Sequence, residues 1–308
     1  MIRSLIVLAA AGLLASPSAF AGTPTQTTHA IPSVKAVVDA AKPSAWRTLD
    51  PANTLYMLLP HHHRVIIELA PAWAPAHVAN IKTMVREHYF DGTSIYRVQD
   101  NFVAQWGDPD GDNPAKAKSM GAAKATLPPE FTRAFSPSLH VTPLTDGDVY
   151  APRVGLSRGL PMAWNPKTHK AWLVQCYGMV GVARDVDPKS GNGNTLYVPI
   201  GQAPRRLDHQ LAVVGRVIEG MQWLSALPRG PKPMGFYKNP ALRTPIISIR
   251  LASQMPAKDR VKLQVLRTDS PAFARVLQAV REHRSAFYKQ PIGHVSICNV
   301  PLPVREVH

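Results

Sequence analysis

With 308 residues, 45% of them apolar and 18% charged, the chain suits one large globular domain or a domain with an appendage. Its net charge of +15 comes from scattered lysines and arginines rather than a dense basic run interleaved with aromatics, which argues against a nucleic-acid binder. What is left is a solvated cationic surface, or one that meets anionic envelope components or acidic clients; the 30 prolines predict long ordered loops.

In chain order, Met1-Ile2-Arg3 precedes an apolar run at 5–15 and then Ser18-Ala19-Phe20-Ala21. A cationic start, a short apolar core and an A-x-A end make a secretory signal peptide, cleaved after Ala21. The run is too short to span a bilayer, and no later stretch is long enough. The expected address is a Gram-negative periplasm. Residues 22–52 read as a polar leader lying on the surface, with a short helical candidate at 34–41. Strand-like runs at 54–59 and 64–69, joined by Pro60-His61-His62-His63, read as a hairpin. The three histidines diverge in a turn with no carboxylate near in sequence, so they read as solvated rather than metal-binding. At 74–88, Val78, Ile81, Met84 and Val85 form one helical stripe, with Pro75 where a helix start tolerates it.

The next stretch is the most informative. A turn at Phe90-Asp91-Gly92-Thr93 leads into a strand at 94–98, a break at Gln99-Asp100-Asn101, and a second strand at 102–106. Alternation puts Ile95 and Arg97 on one face and Tyr96 and Val98 on the other. In the second strand, Val103 and Gln105 oppose Phe102, Ala104 and Trp106. An arginine in a mostly apolar sheet is costly unless it has a partner or a task.

This stretch, Ile95-Tyr96-Arg97-Val98 followed by Phe102-Val103-Ala104-Gln105-Trp106-Gly107-Asp108, resembles the F-H-R-V-I-x-x-F-M-x-Q-G-G-D motif of the cyclophilin-type peptidyl-prolyl isomerases. Gly178-Met179-Val180-Gly181-Val182-Ala183-Arg184 resembles the family's G-M-V-S-M-A-R. Asn194-Thr195-Leu196-Tyr197-Val198 stands at its S-Q-F-F-I, and Val213-Val214-Gly215 through Gly220-Met221 at its V-F-G-x-V-x-x-G-M. The resemblance covers roughly residues 53–252 in the correct order. It implies a mainly β fold, a closed eight-stranded barrel plugged by helices at 74–88 and 221–227 and closed by a strand at 245–251. The family-like domain is then 53–255. Residues from about 132 to 175 are an insertion: a lid, a client-binding loop or decoration. Residues 256–308 form a small αβ appendage, with a strand at 262–266, a helix capped by Asp269 or Ser270 and striped by Phe273, Val276, Leu277 and Val280, and a return strand at 294–300.

Inside the insertion, Gly155-Leu156-Ser157-Arg158-Gly159 is formally a G-x-S-x-G. A hydrolase needs a strand before that serine and a helix after it; prolines 152 and 161 flank it and no helical stripe follows, so chance explains it. Cys176 and Cys298 are the only cysteines. In an oxidising compartment they are expected to pair and tie the C-terminal end to the body, two separate buried thiols being the alternative. With no C-x-x-C, a zinc site is not indicated.

The resemblance further implies a monomer with no cofactor or metal, whose partners are proline-containing segments of exported proteins. Arg97 would donate toward the prolyl nitrogen and carbonyl, and Gln105 would hold the substrate backbone. Phe102, Val103, Tyr197 and Leu211 would line the proline pocket; Asn194 and the Ala183 backbone would flank the groove. The sequence departs from the family pattern at Val103 for Met, Thr195 for Gln, Tyr197 for Phe (adding a hydroxyl at the pocket), Leu211 for His or Tyr, and Arg205-Arg206 where an aromatic is common. Two readings therefore stand: an active isomerase, or a cyclophilin-fold proline-peptide-binding module or chaperone with weak or no catalysis. For Arg97 itself the alternative is a structural ion pair within the barrel.

Overall fold

A computed structural model describes residues 31–307, so the expected signal peptide at 1–21 lies outside the described residues. The chain runs α1 (Val34–Asp39), β1 (Trp46–Thr48), β2 (Thr54–Leu58), β3 (Arg64–Leu69), α2 (Pro75–Arg86), β4 (Ser94–Val98) and β5 (Val103–Gly107). There follow β6 (Arg133–Ala134), β7 (Val141–Leu144), β8 (Arg153–Ser157), β9 (Leu160–Asn165) and β10 (Lys170–Leu173). Then come β11 (Met179–Val182), β12 (Thr195–Pro199), β13 (Val213–Glu219), α3 (Met221–Ser225), β14 (Thr244–Pro245), β15 (Ser248–Leu251), β16 (Leu263–Leu266), α4 (Pro271–Glu282) and β17 (Val304–Glu306).

The main sheet is antiparallel and curled, in the order β14-β4-β5-β12-β11-β13-β3-β2-β15. Its two edge strands are the halves of one stretch. Ile246 N donates to Thr93 O beside β4, and the next residue, Ile247, donates to Leu58 O of β2. One continuous segment thus borders both edges and leaves little unpaired backbone between them. Inside the curl pack Met57, Val65, Ile67, Ala104, Trp106, Leu196 and Val198, against the α2 stripe of Val78, Ile81, Met84 and Val85 and against Leu224 of α3. The 3.6-residue period of α2 and the two-residue period of β5 and β12 send apolar side chains into the same interior.

The insertion is not an irregular loop but a five-stranded antiparallel sheet, β6-β10-β9-β8-β7. Its Leu156, Met162, Ala163 and Trp172 share one apolar core with Val37 of α1, Trp46 of β1 and Phe273 and Val276 of α4. The described part of the leader is therefore more than a surface segment: Val37, Ala41, Ala45 and Trp46 pack with the insertion and the C-terminal segment in a second core, and β1 pairs with β16 at Trp46 and Leu266. The expected return strand at 294–300 is absent. Ile297–Asn299 forms a 3-10 turn, Val295 N is spent on Asp146 Oδ1, and the strand, β17, begins only after Pro301 and Pro303, which have no N–H to donate to a ladder.

Cys176 and Cys298 are bonded, with their Cα atoms 5.0 Å apart, and tie the barrel side of the second core to the C-terminal segment. Ser157 is buried and donates to Leu139 O, as a structural hydroxyl rather than an exposed nucleophile. His63 stacks on Trp223 with ring centroids 3.6 Å apart. Among the described residues no group of three or more metal-ligating side chains converges, and no helix is long and apolar enough to cross a membrane.

Candidate functional site

β4 and β5 pair with a bulge: Ile95 faces Trp106, but Arg97, not Tyr96, faces Gln105. Strict alternation on β4 is therefore broken. Ile95 and Val98 both point into the barrel, while Tyr96 and Arg97 both lie on the outer side, where they line a groove. The expected sharing of a face by Ile95 and Arg97 does not hold, because one extra residue in a strand reverses the facing of everything before it. On β5, Val103 and Gln105 do turn to the groove and Ala104 and Trp106 to the core.

From Arg97 a row of partners crosses four strands. Arg97 stands opposite Gln105, Gln105 opposite Tyr197 of β12, and Tyr197 opposite Gly181 of β11. Gly181 is required for this row, since a Cβ there would fall 2.3 Å from Tyr197 Cζ. Gln105 is held at both ends: Oε1 accepts from Arg97 Nη1 at 2.9 Å, and Nε2 donates to the Tyr96 hydroxyl at 3.0 Å.

The groove above this row has a volume of about 630 Å³. Arg97, Gln105, Phe102, Val103, Ala183, Asn194, Tyr197 and Leu211, the residues expected to form the site, all line it. Val103 and Tyr197 make an apolar floor. The hydroxyl that Tyr197 was expected to add at the pocket is instead turned away and buried, donating to Gln175 Oε1 at 3.1 Å. Burial raises the phenol's pKa well above its ordinary value, with the Gln175 hydrogen bond opposing, so it stays neutral. The Ala183 amide is used by the ladder, donating to Thr195 O at 3.0 Å. The Asn194 amide donates to Asn192 Oδ1 at 2.9 Å.

Arg97 has only neutral partners. Nε donates to Met234 O at 2.7 Å, Nη1 to Gln105, and Nη2 to Gln99 Oε1. Its Cζ lies 4.9 Å from the Phe236 ring centroid and 5.8 Å from that of Phe102. Among the described residues no carboxylate pairs with it, so the ion-pair alternative finds no partner. With three of five N–H donors used, two remain for a ligand. Burial lowers the guanidinium's pKa, yet an arginine so placed stays cationic. The site thus sets an apolar patch of Phe102, Val103 and Tyr197 beside a fixed cation with no carboxylate partner of its own, in a groove that Arg184, Arg243, Asp108, Asp112 and Asp185 also line.

Met234 and Phe236, which hold and cover Arg97, were not foreseen. They lie more than a hundred residues downstream, and only the pairing of Phe236 with Arg97 across the edge of β4 brings them in. Of the two arginines standing where an aromatic was expected, Arg205 is buried in ion pairs with Asp148 and Asp208, and Arg206 lies over the Phe102 ring at 5.6 Å.

The family model described as "Cyclophilin type peptidyl-prolyl cis-trans isomerase/CLD" matches residues 56–250. A protein of Brucella suis named "Probable peptidyl-prolyl cis-trans isomerase" is 29% identical over 198 residues, covering 62% of this chain and 80% of the relative. Peptidyl-prolyl cis-trans isomerase B of Bacillus subtilis is 40% identical over 59 residues, 19% of this chain and 41% of that protein. The crystal structure of the cyclophilin AquaCyp293 from Hirschia baltica superposes with a TM-score of 0.64 at 26% identity, covering 86% of this chain and 94% of the other. That coverage reaches beyond residues 56–250 into the flanking segments of the second core.

Proposed function

The chain belongs to the family of cyclophilin-type peptidyl-prolyl cis-trans isomerases, and on that premise we propose that it acts on proline-containing segments of exported proteins, with Arg97 stabilising the twisted prolyl amide. The bond before proline turns slowly because amide resonance resists twisting, with a barrier of about 18–20 kcal/mol. No covalent bond need break. A catalyst has only to seat the ring, hold the flanking backbone and favour the twisted nitrogen and its carbonyl.

The observation that carries this reading is the guanidinium of Arg97, fixed by three neutral acceptors and open to the groove through its remaining donors. A preorganised donor aimed at developing charge costs no reorganisation when the bond twists. Phe102, Val103, Tyr197 and Leu211 offer the ring an apolar seat. The withdrawal of the Tyr197 hydroxyl restores the apolar character that its sequence put in question, as a seat for a proline ring requires. Export rests on the signal-like residues 1–21, and the bonded Cys176–Cys298 pair is in keeping with an oxidising compartment.

The test is NMR exchange spectroscopy on Ala-Pro peptides, which should show catalysed interconversion that saturates with peptide. A folded protein that binds the peptides without speeding exchange supports the chaperone reading and overturns this one. N-terminal sequencing of protein from the envelope fraction should begin at Gly22; finding Met1 there removes the export proposal.

A further inference from the structure

Between α3 and β14 the chain runs as a strap along the outer edge of β4. Backbone pairing ties it there. Val98 N donates to Gly235 O at 2.9 Å, Gly230 N to Val98 O at 2.8 Å, and Tyr237 N to Tyr96 O at 3.0 Å. Gly235 has φ +75°, and a Cβ on it would stand 2.6 Å from Gln99 Cα, so glycine alone allows the approach. On either side of Gly235 the strap presents Met234 and Phe236, 48% and 41% exposed, to the groove. The Phe236 ring stacks on Tyr96, with centroids 6.0 Å apart and planes at 21°, and lies against the Arg97 guanidinium.

Two large apolar side chains held open in a peptide groove are covered only when a peptide lies across them, and covering apolar area is favourable. Their place matters, since the Phe236 ring lies against Arg97, the residue proposed to act on the prolyl bond, and the Met234 carbonyl accepts from it. A side chain resting on them must belong to a residue flanking the proline.

We propose that this strap determines specificity: Phe236 with Met234 is a platform for an aromatic or large aliphatic side chain next to the substrate proline, and the same contacts hold Arg97 in register. The substrate class is then proline flanked by bulky apolar residues, as in the core-forming segments of unfolded chains. The inference rests on the isomerase reading and narrows its substrates.

The test uses the mature protein and two series of proline peptides, one varying the residue after proline and one the residue two before it, each with Phe, Gly or Asp. Exchange rates and peptide affinities are measured in parallel. In one series Phe should exceed Gly by about threefold to tenfold, the range of a single aromatic contact. Phe236→Ala should bring that ratio close to one, and Phe236→Tyr should keep it. Arg97→Ala should slow catalysis on every peptide by on the order of a hundredfold while the affinity ratio persists. Equal treatment of Phe and Gly in both series, or a preference that survives in Phe236→Ala, overturns the proposal. An affinity ratio without catalysis leaves the platform standing and removes the isomerase reading.

Discussion

Arg97 and Arg205 are both largely buried arginines on the barrel, yet their surroundings are opposite. Arg205 donates to both oxygens of Asp148 at 2.7 and 2.8 Å and to Asp208 at 2.8 Å, with its own side chain and that of Asp148 almost wholly covered. Burial works to lower its pKa, but the hydrogen bonds and charges of the two aspartates outweigh it, and the net shift is upward. Arg97 has carbonyl and amide oxygens in place of carboxylates, and its pKa is lowered. A carboxylate pair consumes a guanidinium's charge as well as its donors. Neutral acceptors fix the geometry and leave the charge for a ligand. The first arrangement holds the insertion to the barrel; the second leaves a cation to be used.

The largest expected effect is on the Arg205 side. Arg205→Ala strands Asp148 and Asp208 without their cation, and breaking a buried pair in this way costs about 3–5 kcal/mol. Chemical denaturation should show that loss, with peptide isomerisation by the remaining folded protein little changed. A stability close to that of the parent would erase the contrast with Arg97.

Arg97→Ala should do the reverse. Deleting a donor used mainly in the transition state costs about 2.7–4 kcal/mol, so isomerisation should fall on the order of a hundredfold while peptide affinity changes much less. Arg97→Lys should not restore the rate, because a point charge lacks the planar fork. A folded Arg97→Ala protein with undiminished exchange rates excludes the assigned role.

Cys298→Ser opens a loop spanning 122 residues and should lower stability by about 2–4 kcal/mol. Because the bond joins segments of the second core, the melting transition should shift far more than the exchange rate. A shift in rate larger than in stability would show that Gln175, beside Cys176, transmits the bond's state to Tyr197. In the oxidised protein, mass spectrometry of peptides should recover Cys176 and Cys298 crosslinked.

The smallest effect concerns Asp146, which accepts from Arg281 and from Val295 N and so joins the insertion to the C-terminal segment. The Arg281 hydrogen bond, against the opposing cost of burial, holds its carboxyl below the usual value of 3.8. A depressed folded pKa gives stability that is present above the unfolded value and lost as pH falls through the folded one. Asp146→Asn should therefore cost about 1.5–3 kcal/mol near neutral pH, and its deficit against the parent should shrink below pH 3.8. A deficit independent of pH would mean that shape rather than charge matters at this seam.

Much of the barrel was legible because its signals are local. The α2 stripe, the alternation of Val103 to Trp106 and the run from Arg97 to Asp108 each speak within one or two turns of chain. The insertion was opaque for the opposite reason. In β9, Leu160, Pro161, Met162 and Ala163 are buried in succession, so no alternation marks them as strand, and two prolines nearby read as loop. The leader and the C-terminal segment looked like separate additions because each is too short to show the core they share.

The sequence by itself determined the chemistry of the site: which residues are arginine, glutamine and apolar, and the order in which the strands bearing them follow. It could do so because residue type and strand period are properties of neighbours in the chain. The tertiary structure alone decided the rest. The β4 bulge, which aims Tyr96 and Arg97 together, depends on the register with β5. The fate of the Tyr197 hydroxyl depends on Gln175 reaching it, and the setting of Arg97 on Met234 and Phe236 depends on a strap from far along the chain. Each of these is a choice of partner, and a partner's distance in sequence carries no information about its distance in space.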